Sequence, residues 1–512
     1  MSKKTGKRFS LLLTAALSFG LLAGCGGGTS NSTVESGNTQ EGTYAKPVEL
    51  QVYMLGNAPK DMGKVEAELN KMAKEDLNTT VHFNYTTWTD WDQKYKLLLS
   101  TGQNIDLIYT ADWTQYSAYA KRGAFLPLDD LLPKAAPELQ KFVPEDMWNA
   151  VRVDSKIYTV PSTYKEYVTP GFVYREDLRA KYDLPVPKDL ASYEEYMAGI
   201  KANEPDMMPA AFTSAVDAVL ADTYQSLNGM IGAMPYGIGI KQQDPANVYS
   251  YWGSDEHKKE LSTFRRWQEA GYISKNVLNS KDSAQDLVST GKAASMFGDN
   301  PNRYSEMLSQ MQANHPDWDL GYTPFAETLG YAMPVHPVHN GFAVPTSSKN
   351  PERALAFYEK LVLDKRYNQL TEYGFEGTNY TVENGYYKMV GTAETNGFPR
   401  EAMNGWAWRN PDYMLFDKSY DKVKEIFAEL DKVQTPDLFT GFAEDYSTYA
   451  AERAALEQVE KQYLYPLEAG LVEDVEGGLA NFMQKAKQAG LEKIQAEYKK
   501  QWETYLQKAG IQ

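Results

Sequence analysis

The sequence predicts an α/β fold of at least two lobes, with extra helices at the C-terminus. Three observations carry that prediction. The chain has 512 residues, and beyond about 250–300 residues a single hydrophobic core stops growing and chains divide. Residues 48–110 alternate strand and helix patterns in the order β-α-β-α-β, which builds a mostly parallel sheet flanked by helices. From Gly478 onward the pattern turns helical and amphipathic.

"VELQVYML" (48–55) alternates and is β-branched enough for a first strand. In "KDMGKVEAELNKMAKEDLN", Val65, Leu69 and Met72 recur at i, i+4 and i+7 and mark one face of a helix. "TTVHFNYTT" returns to strand, and "YTTWTDWDQKYK" (85–96) opens a second helix. With Thr89 as its cap, Asp92 completes a capping-box-like start, and Trp91, Tyr95 and Leu98 make a core stripe. Trp88 precedes that cap, and the position that would staple to it is the polar Gln93. It therefore sits on a strand-to-helix loop without a packing task, where binding residues gather. "IDLIYT" is a short buried strand, and "DSKIYTVPSTY" and "NGFAVPTS" (340–347) read as strands beside connections. "PKDLASYEEYMAGIKA" and "KKELSTFRRWQEAGYI" between them are helical. In the tail, interrupted at Gly490, Leu491, Ile494, Tyr498, Tyr505 and Leu506 fall near one face. That stripe is expected to dock on the body, because exposed it would be an association surface.

Composition is that of an ordinary globular protein, 42% apolar and 23% charged. A formal charge of −16 argues against nucleic acid and against a polybasic membrane patch. Cys25 is the single cysteine, so neither an internal disulfide nor a cysteine metal cluster can form. It ends "MSKKTGKRFSLLLTAALSFGLLAGC", which has a basic start, an apolar run from Phe9 to Leu22 and small Ala23 and Gly24. That is the grammar of an export signal. Leu22-Ala23-Gly24-Cys25 resembles the lipobox of bacterial lipoproteins, whose cysteine receives a diacylglycerol and becomes the first mature residue; two acyl chains anchor stably. The expectation is a signal peptide over 1–24 and a lipidated Cys25 with a Gly/Ser/Thr/Asn tether over 25–46. A coil of about 20 residues reaches roughly 25 Å, which keeps the folded part at the membrane's outer face. Cleavage removes Lys3, Lys4, Lys7 and Arg8 and no acidic residue, taking the charge from −16 to −20.

An ordered set of segments carries a wider resemblance: the lipobox, "WDQKYKLLLSTGQNIDLIYT", "YAKRGAFLPLDDLLPK", "IYTVP", "YREDLRAKYDLPVPKDLASYEEY", "NPERALAFYEKLVLDKRYNQLTEYGFEGTNYTVENG", "NGWAWRNPDY" and "AGLEKIQAEYKKQWETYLQKAG". Together they resemble the extracellular solute-binding lipoproteins of ABC importers, in the large oligosaccharide-binding group that includes LplA-like and alginate-binding proteins. The resemblance implies a periplasmic-binding-protein-like fold of type II, two hinged α/β lobes with ligand between them. The N-terminal lobe is expected over 47–165 plus about 335–395, and the C-terminal lobe with docked helices over 166–334 plus about 396–512. It also implies a monomer that binds an oligosaccharide, needs no cofactor and delivers its ligand to membrane permease subunits with a separate ATPase. No G-x-x-x-x-G-K-[ST] motif occurs in the chain itself. Alginate-type relatives often carry an Asp/Asn-rich calcium loop; here "IKANEPDMMPAAF" (200–212) offers Glu204 and Asp206 without the alternating oxygen ligands calcium needs. No metal is assigned.

A sugar ring has apolar C–H faces and a belt of hydroxyls, so its site needs flat aromatic platforms and planar polar groups. Hydrogen bonds to charged groups are worth about 1.5–3 kcal/mol each. The candidates are Trp88, Asp112 and Trp113 after "IDLIYT", and Tyr164 near the first crossover. "MFGDNPNRY" adds Asp299, Asn300 and Arg303, although Asp-Asn-Pro favours a turn on its own account. "VHNGF" adds His339 and Asn340. "NGWAWRN" adds Trp406, Trp408 and Arg409, with both indoles on one side if the segment is extended. Trp88 and the 406–409 loop lead this set; loop packing is the competing reading for each. Two rival functions stand beside binding for import. A glycoside hydrolase needs two carboxylates about 5–9.5 Å apart, and no acid/base motif marks such a pair. "HPVH" (336–339) lacks the helical geometry of HExxH and a third ligand. A sugar-sensing or adhesion lipoprotein would bind without uptake. The charge of −20 disfavours a polyanionic glycan unless arginines cluster locally.

Overall fold

Two sheets, each with its own helices, organise the folded part. The computed structural model describes residues 44–511 except 89, 168, 213–218, 231–234, 281, 393–394, 440–441 and 443. The expected export signal, Cys25, most of the tether and the expected cap Thr89 lie outside the described residues. Lys46–Gln512 forms one unit, distinct from Met1–Ala45, and both sheets belong to it.

The first sheet runs in the order Thr79–Thr86, Val48–Leu55, Leu107–Thr110, Gly341–Ala343, Thr159–Pro161. Alternation in Val48–Leu55 puts Leu50, Val52 and Met54 on a fully buried face. Val52 pairs in parallel with Phe83 on one side and Leu107 on the other. Gly341–Ala343 is antiparallel to both its neighbours, and it arrives only after the chain has visited the second sheet. The helix Met62–Leu77 buries Met62, Val65, Leu69, Ala73 and Leu77; Met72, one residue off that stripe, is only half-buried. Asp106 closes the sheet's entry edge, accepting from Gln51 N (2.9 Å) and Ser348 Oγ (2.7 Å).

In the second sheet the buried strand Gly171–Arg175 lies between Ser295–Asp299 and Leu320–Pro324, antiparallel to each. A bulge at Gly298 breaks the register just before the strand end. Its φ of +85° and the 2.3 Å that a Cβ would leave to Thr223 Cγ2 both require glycine. The helix Leu190–Asn203 covers this sheet and starts with a reciprocal capping box between Asp189 and Ser192.

Beyond 395 the chain still touches the first sheet and its helices. Trp408 packs on Phe342 (5.3 Å between rings), Asn410 Nδ2 donates to Val362 O (3.0 Å) and Tyr413 OH to Leu363 O (2.9 Å). The crossing comes at 414–419, before the helix Tyr420–Leu430 buries Tyr420 and Val423 among second-lobe residues.

The C-terminal helices Val475–Gln488 and Leu491–Ala509 dock as expected, hinged at Gly490 with φ +102°. Ile494, Tyr498, Trp502 and Leu506 pack on the hairpin strands Ile238–Lys241 and Asp244–Ser250. Trp502, in phase with Leu491 and Tyr498, holds the centre that was expected of Tyr505, which is half-buried. No helix among the described residues is long and apolar enough to cross a membrane.

Beneath this layer lie His257, Glu260 and Glu468, all buried. Gly253 N donates to His257 Nδ1 (3.2 Å), which puts the ring hydrogen on Nε2. His257 Nε2, Glu260 Oε1 and Glu468 Oε2 are all buried there without a hydrogen-bond partner. Burial pushes Glu260 up to about 8 and Glu468 well above the carboxylate range, and it pushes His257 down to about 3. Carboxyls raised in this way stabilise the fold below their unfolded value of 4.5 and lose that contribution as pH rises through the folded value. His257 acts only below its unfolded value of 6.5, where the unfolded chain takes a proton that the fold refuses. The melting temperature is therefore expected to fall steadily from pH 6.5 past 8, and less steeply in Glu260→Gln. A flat profile over that window contradicts the assignment.

Candidate functional site

Three tryptophans from separate loops meet at the carboxyl edge of the first sheet. Trp88 follows Thr79–Thr86, Trp113 follows Leu107–Thr110, and Trp406 begins the short helical turn Trp406–Trp408. The Trp88 ring centre lies 6.3 Å from that of Trp113 at 26° and 6.1 Å from that of Trp406 at 32°. This is the edge where ligands sit in open α/β sheets. Trp88 and Trp113 stay 47% and 39% exposed, a large apolar surface to leave in water.

The wall is braced from behind. Trp113 Nε1 donates to His339 O (3.3 Å), and the edge of Trp91 meets the Trp113 ring (5.8 Å, 82°). Tyr109 OH donates to Asn340 Oδ1 (2.7 Å). At the end of the first strand, Gly56 has φ +109°, and a Cβ there would stand 2.1 Å from Asn404 Nδ2 and 3.3 Å from Trp88 Nε1. Only glycine lets Asn404 donate to Leu55 O (2.7 Å) and tie the Trp406 loop beside Trp88.

Facing the wall is a charged floor. Arg409 is 5% exposed, with Nη1 on Glu166 (3.0 Å), Nη2 on Glu401 (2.6 Å) and its guanidinium 5.5 Å from the Tyr164 ring. Glu166, on the crossover after the first sheet, also accepts from Asn302 Nδ2 (2.8 Å) in the second lobe. One carboxylate thus joins a first-lobe loop to a second-lobe helix. Arg400 stands 3.8–3.9 Å from Glu306, Glu401 and Asp417, and Arg303 pairs with Glu306 (2.9 Å). Burial raises the Glu166 carboxyl above its usual range despite Arg409. Burial acts likewise on Glu401, but Arg409 and Arg400 outweigh it and hold that group low. Burial pushes Glu372, behind the floor, up to about 8.

Nine of the twelve expected residues line this one cleft of about 400 Å³: Trp88, Trp113, Tyr164, Asn300, Arg303, His339, Asn340, Trp406 and Arg409. Asp112 faces a neighbouring, more apolar cavity of about 390 Å³ that meets the cleft at His339. Its carboxyl accepts from His339 Nδ1 (3.1 Å). Burial raises Asp112, but His339 and the Trp113 N–H outweigh it and keep it below the carboxylate range. Asn300 spends its side chain capping the helix Pro301–Asn314.

Three expectations are corrected. Trp408 is fully buried, its Nε1 donating to Thr371 Oγ1 (2.9 Å), because the loop turns helically instead of extending and the two indoles diverge. Asp299 accepts from Gln285 Nε2 (3.2 Å) and Asn300 N (2.8 Å) within the second lobe and does not line the cleft. Trp91 is half-buried behind Trp113, since the helix starts at Trp91 with Asp90 before it, and Asp92 pairs with Lys96 (2.6 Å) instead of closing a capping box. Sequence reasoning missed Glu166, Asn302, Glu306, Arg400, Glu401 and Tyr420. A helix start at Pro301 would have put Asn302 and Glu306 beside Arg303; nothing local marks Arg400 and Glu401.

Residues 59–365 match the family model described as bacterial extracellular solute-binding protein, and 438–507 match a domain of unknown function. The chain is 26% identical, over 97% of its length and 98% of the other, to a carbohydrate ABC transporter substrate-binding protein of Streptococcus pneumoniae serotype 4. It is 25% identical, over 54% of each chain, to the fructooligosaccharide ABC transporter substrate-binding protein FusA of the same organism. Among solved structures, the N-glycan transport solute binding protein NgtS of Streptococcus pneumoniae aligns with a TM-score of 0.69 at 21% identity, over 90% of this chain and 99% of that one. The alginate-binding protein AlgQ2, without calcium, aligns at 0.61 and 17% identity, over 90% and 98%. These likenesses bear out the two-lobed α/β fold.

Proposed function

Because the chain belongs to the bacterial extracellular solute-binding proteins, we propose that it captures an oligosaccharide between its lobes and passes it unaltered to an ABC importer. The observation that carries this reading is the exposed wall of Trp88, Trp113 and Trp406 opposite a floor of paired arginines and glutamates. Indole faces suit the C–H faces of sugar rings, and oriented charged groups suit their hydroxyls. The adjoining cavity at His339 gives a ligand of several rings room to continue. Lobe closure over the ligand follows if the closed form binds it better, the differential affinity setting the shift. The crossovers near 162–170, 325–340 and 414–419 are the hinge segments, and Tyr164, with its hydroxyl on that of Tyr420, spans two of them.

Chemistry is not required of this site. Glu166 and Glu401 grip the same guanidinium, which suits them to fix loops instead of flanking a scissile bond across a sugar. The chain acts as a monomer, held by a lipid on Cys25 at the outer face of the membrane and working with permease subunits and a separate ATPase. The lipobox at 22–25 supports the anchor. Labelled fatty acid is expected on the wild-type chain and not on Cys25→Ala; label on both would move the attachment off Cys25, and label on neither would remove the anchor.

A thermal-shift screen against oligosaccharides, with reducing ends assayed in parallel, tests the function. A ligand at 100 times its Kd adds about 2.7 kcal/mol of stability, so a true ligand raises the melting temperature without being consumed. New reducing ends would instead make the protein a hydrolase. Unimpaired uptake after gene deletion would make it a sensor.

A further inference from the structure

Resting on the carbohydrate reading, we propose that the cleft accepts uncharged glycans and rejects those bearing carboxylate, sulfate or phosphate groups. Arginines in a sugar site ordinarily suggest an anionic ligand, and the cleft has three. Each has a carboxylate beside it, although Arg400 Nη1 and Arg409 Nε keep a buried N–H without a hydrogen-bond partner. Among the described residues lining it, the arginines are 303, 400 and 409 and the carboxylates are Glu166, Glu306 and Glu401. Arg409 forks to Glu166 at 3.0 Å and Glu401 at 2.6 Å. Arg400 has Glu306, Glu401 and Asp417 within 3.9 Å.

Only Arg303 can move cheaply, since its head is 56% exposed and its Glu306 pair is a helix-surface contact. Drawing it to an anionic sugar leaves Glu306 facing that same anion. Two further carboxylates, Asp417 and Asp112, stand close behind, the latter tied to His339. An acidic substituent would therefore enter a site whose cations are already shared with carboxylates and would lie beside like charge, which costs several-fold to many hundred-fold in affinity. Hydroxyls face no such conflict. A carboxylate already oriented by an arginine still has lone pairs to accept sugar O–H groups, and Asn302 keeps a buried oxygen, Oδ1, without a partner. The sequence's overall negative charge thus persists locally; the arginines cancel glutamates instead of creating a positive pocket.

The test uses the purified protein on an array of neutral and acidic glycans, followed by titration calorimetry on matched tetramers such as mannose against mannuronate and galactose against galacturonate. The expected result is binding to a neutral glycan, at least about 100-fold weaker binding of its acidic counterpart, and an affinity that changes less than about twofold between 50 and 500 mM salt. Tighter binding of an acidic glycan, or a steep loss of affinity with salt, overturns the proposal while leaving carbohydrate binding intact. Silence on both arms removes the carbohydrate reading itself and this proposal with it. Glu306→Gln, a partly exposed change that spares the buried floor, should narrow the gap between the two members of a pair. A gap of unchanged size would count against the proposal, which sets Glu306 against the anion.

Discussion

Arg409→Met is expected to lower stability by about 3–5 kcal/mol, a large part of the 5–15 kcal/mol that holds a typical domain. The length of the side chain survives in methionine but its charge does not. Glu166 and Glu401 would be left facing each other in a place where Arg409 is 5% and Glu166 13% exposed. An uncompensated buried carboxylate is what makes removing one partner so much worse than removing all. Two consequences separate this explanation from simple loss of packing. Replacing Glu166 and Glu401 by glutamine as well should return most of the stability, because no orphan charge remains. Lowering the pH toward 5 should also shrink the deficit, because Glu166, whose carboxyl burial already raises, takes up a proton readily in the variant. Arg409→Lys should recover only part, as a point charge cannot fork to two carboxylates. Urea unfolding midpoints of the four proteins decide the matter. A loss below about 1 kcal/mol for Arg409→Met would falsify the view that this triad is the floor of the cleft.

That floor is where sequence and structure part company. The wall was legible because its parts are local. Trp88 stands out as an indole with no staple partner, and Trp113 and His339 sit at strand ends, where a parallel sheet places its ligand loops. Strands and amphipathic helices were legible for the same reason, since a period of 2 or 3.6 is a property of one segment. Trp408 was misjudged because alternation presupposes an extended chain, and one helical turn sends alternate side chains apart. Glu166 and Glu401 were missed because an ion pair joins residues 243 and 8 positions from Arg409 with no pattern in between. A carboxylate among 68 acidic residues acquires meaning only from what the fold sets beside it. The loop carrying Trp406 is tied to residues 362–371 by Trp408, Asn410 and Tyr413, contacts that the sequence does not announce.

Trp406→Ala and Trp88→Ala are each expected to weaken oligosaccharide binding about 10–100-fold, or about 1.4–2.8 kcal/mol, the worth of an aromatic face against an apolar ring surface. The fold should hardly notice the change at Trp88, whose side chain is 47% exposed and whose ring contacts among the described residues lie within the wall. Trp408→Ala supplies the opposite pattern. That indole is fully buried and hydrogen-bonded to Thr371, so its removal should cost about 3–5 kcal/mol of stability. Binding by whatever folded protein remains should change far less. The double variant of Trp88 and Trp406 tells more than either alone. Their ring centres are 6.1 Å apart, close enough for each to orient the other, so the losses should combine non-additively with a coupling of about 0.5–3 kcal/mol. Additive losses would mean two independent platforms, each meeting its own sugar. Phenylalanine at either position keeps a flat face and should retain most of the affinity, which an interaction through the indole N–H would not allow. Titration calorimetry on these six variants, with melting temperatures measured without ligand, separates these outcomes. Full affinity in both alanine variants would move the ligand off this wall and leave the exposed indoles without a task.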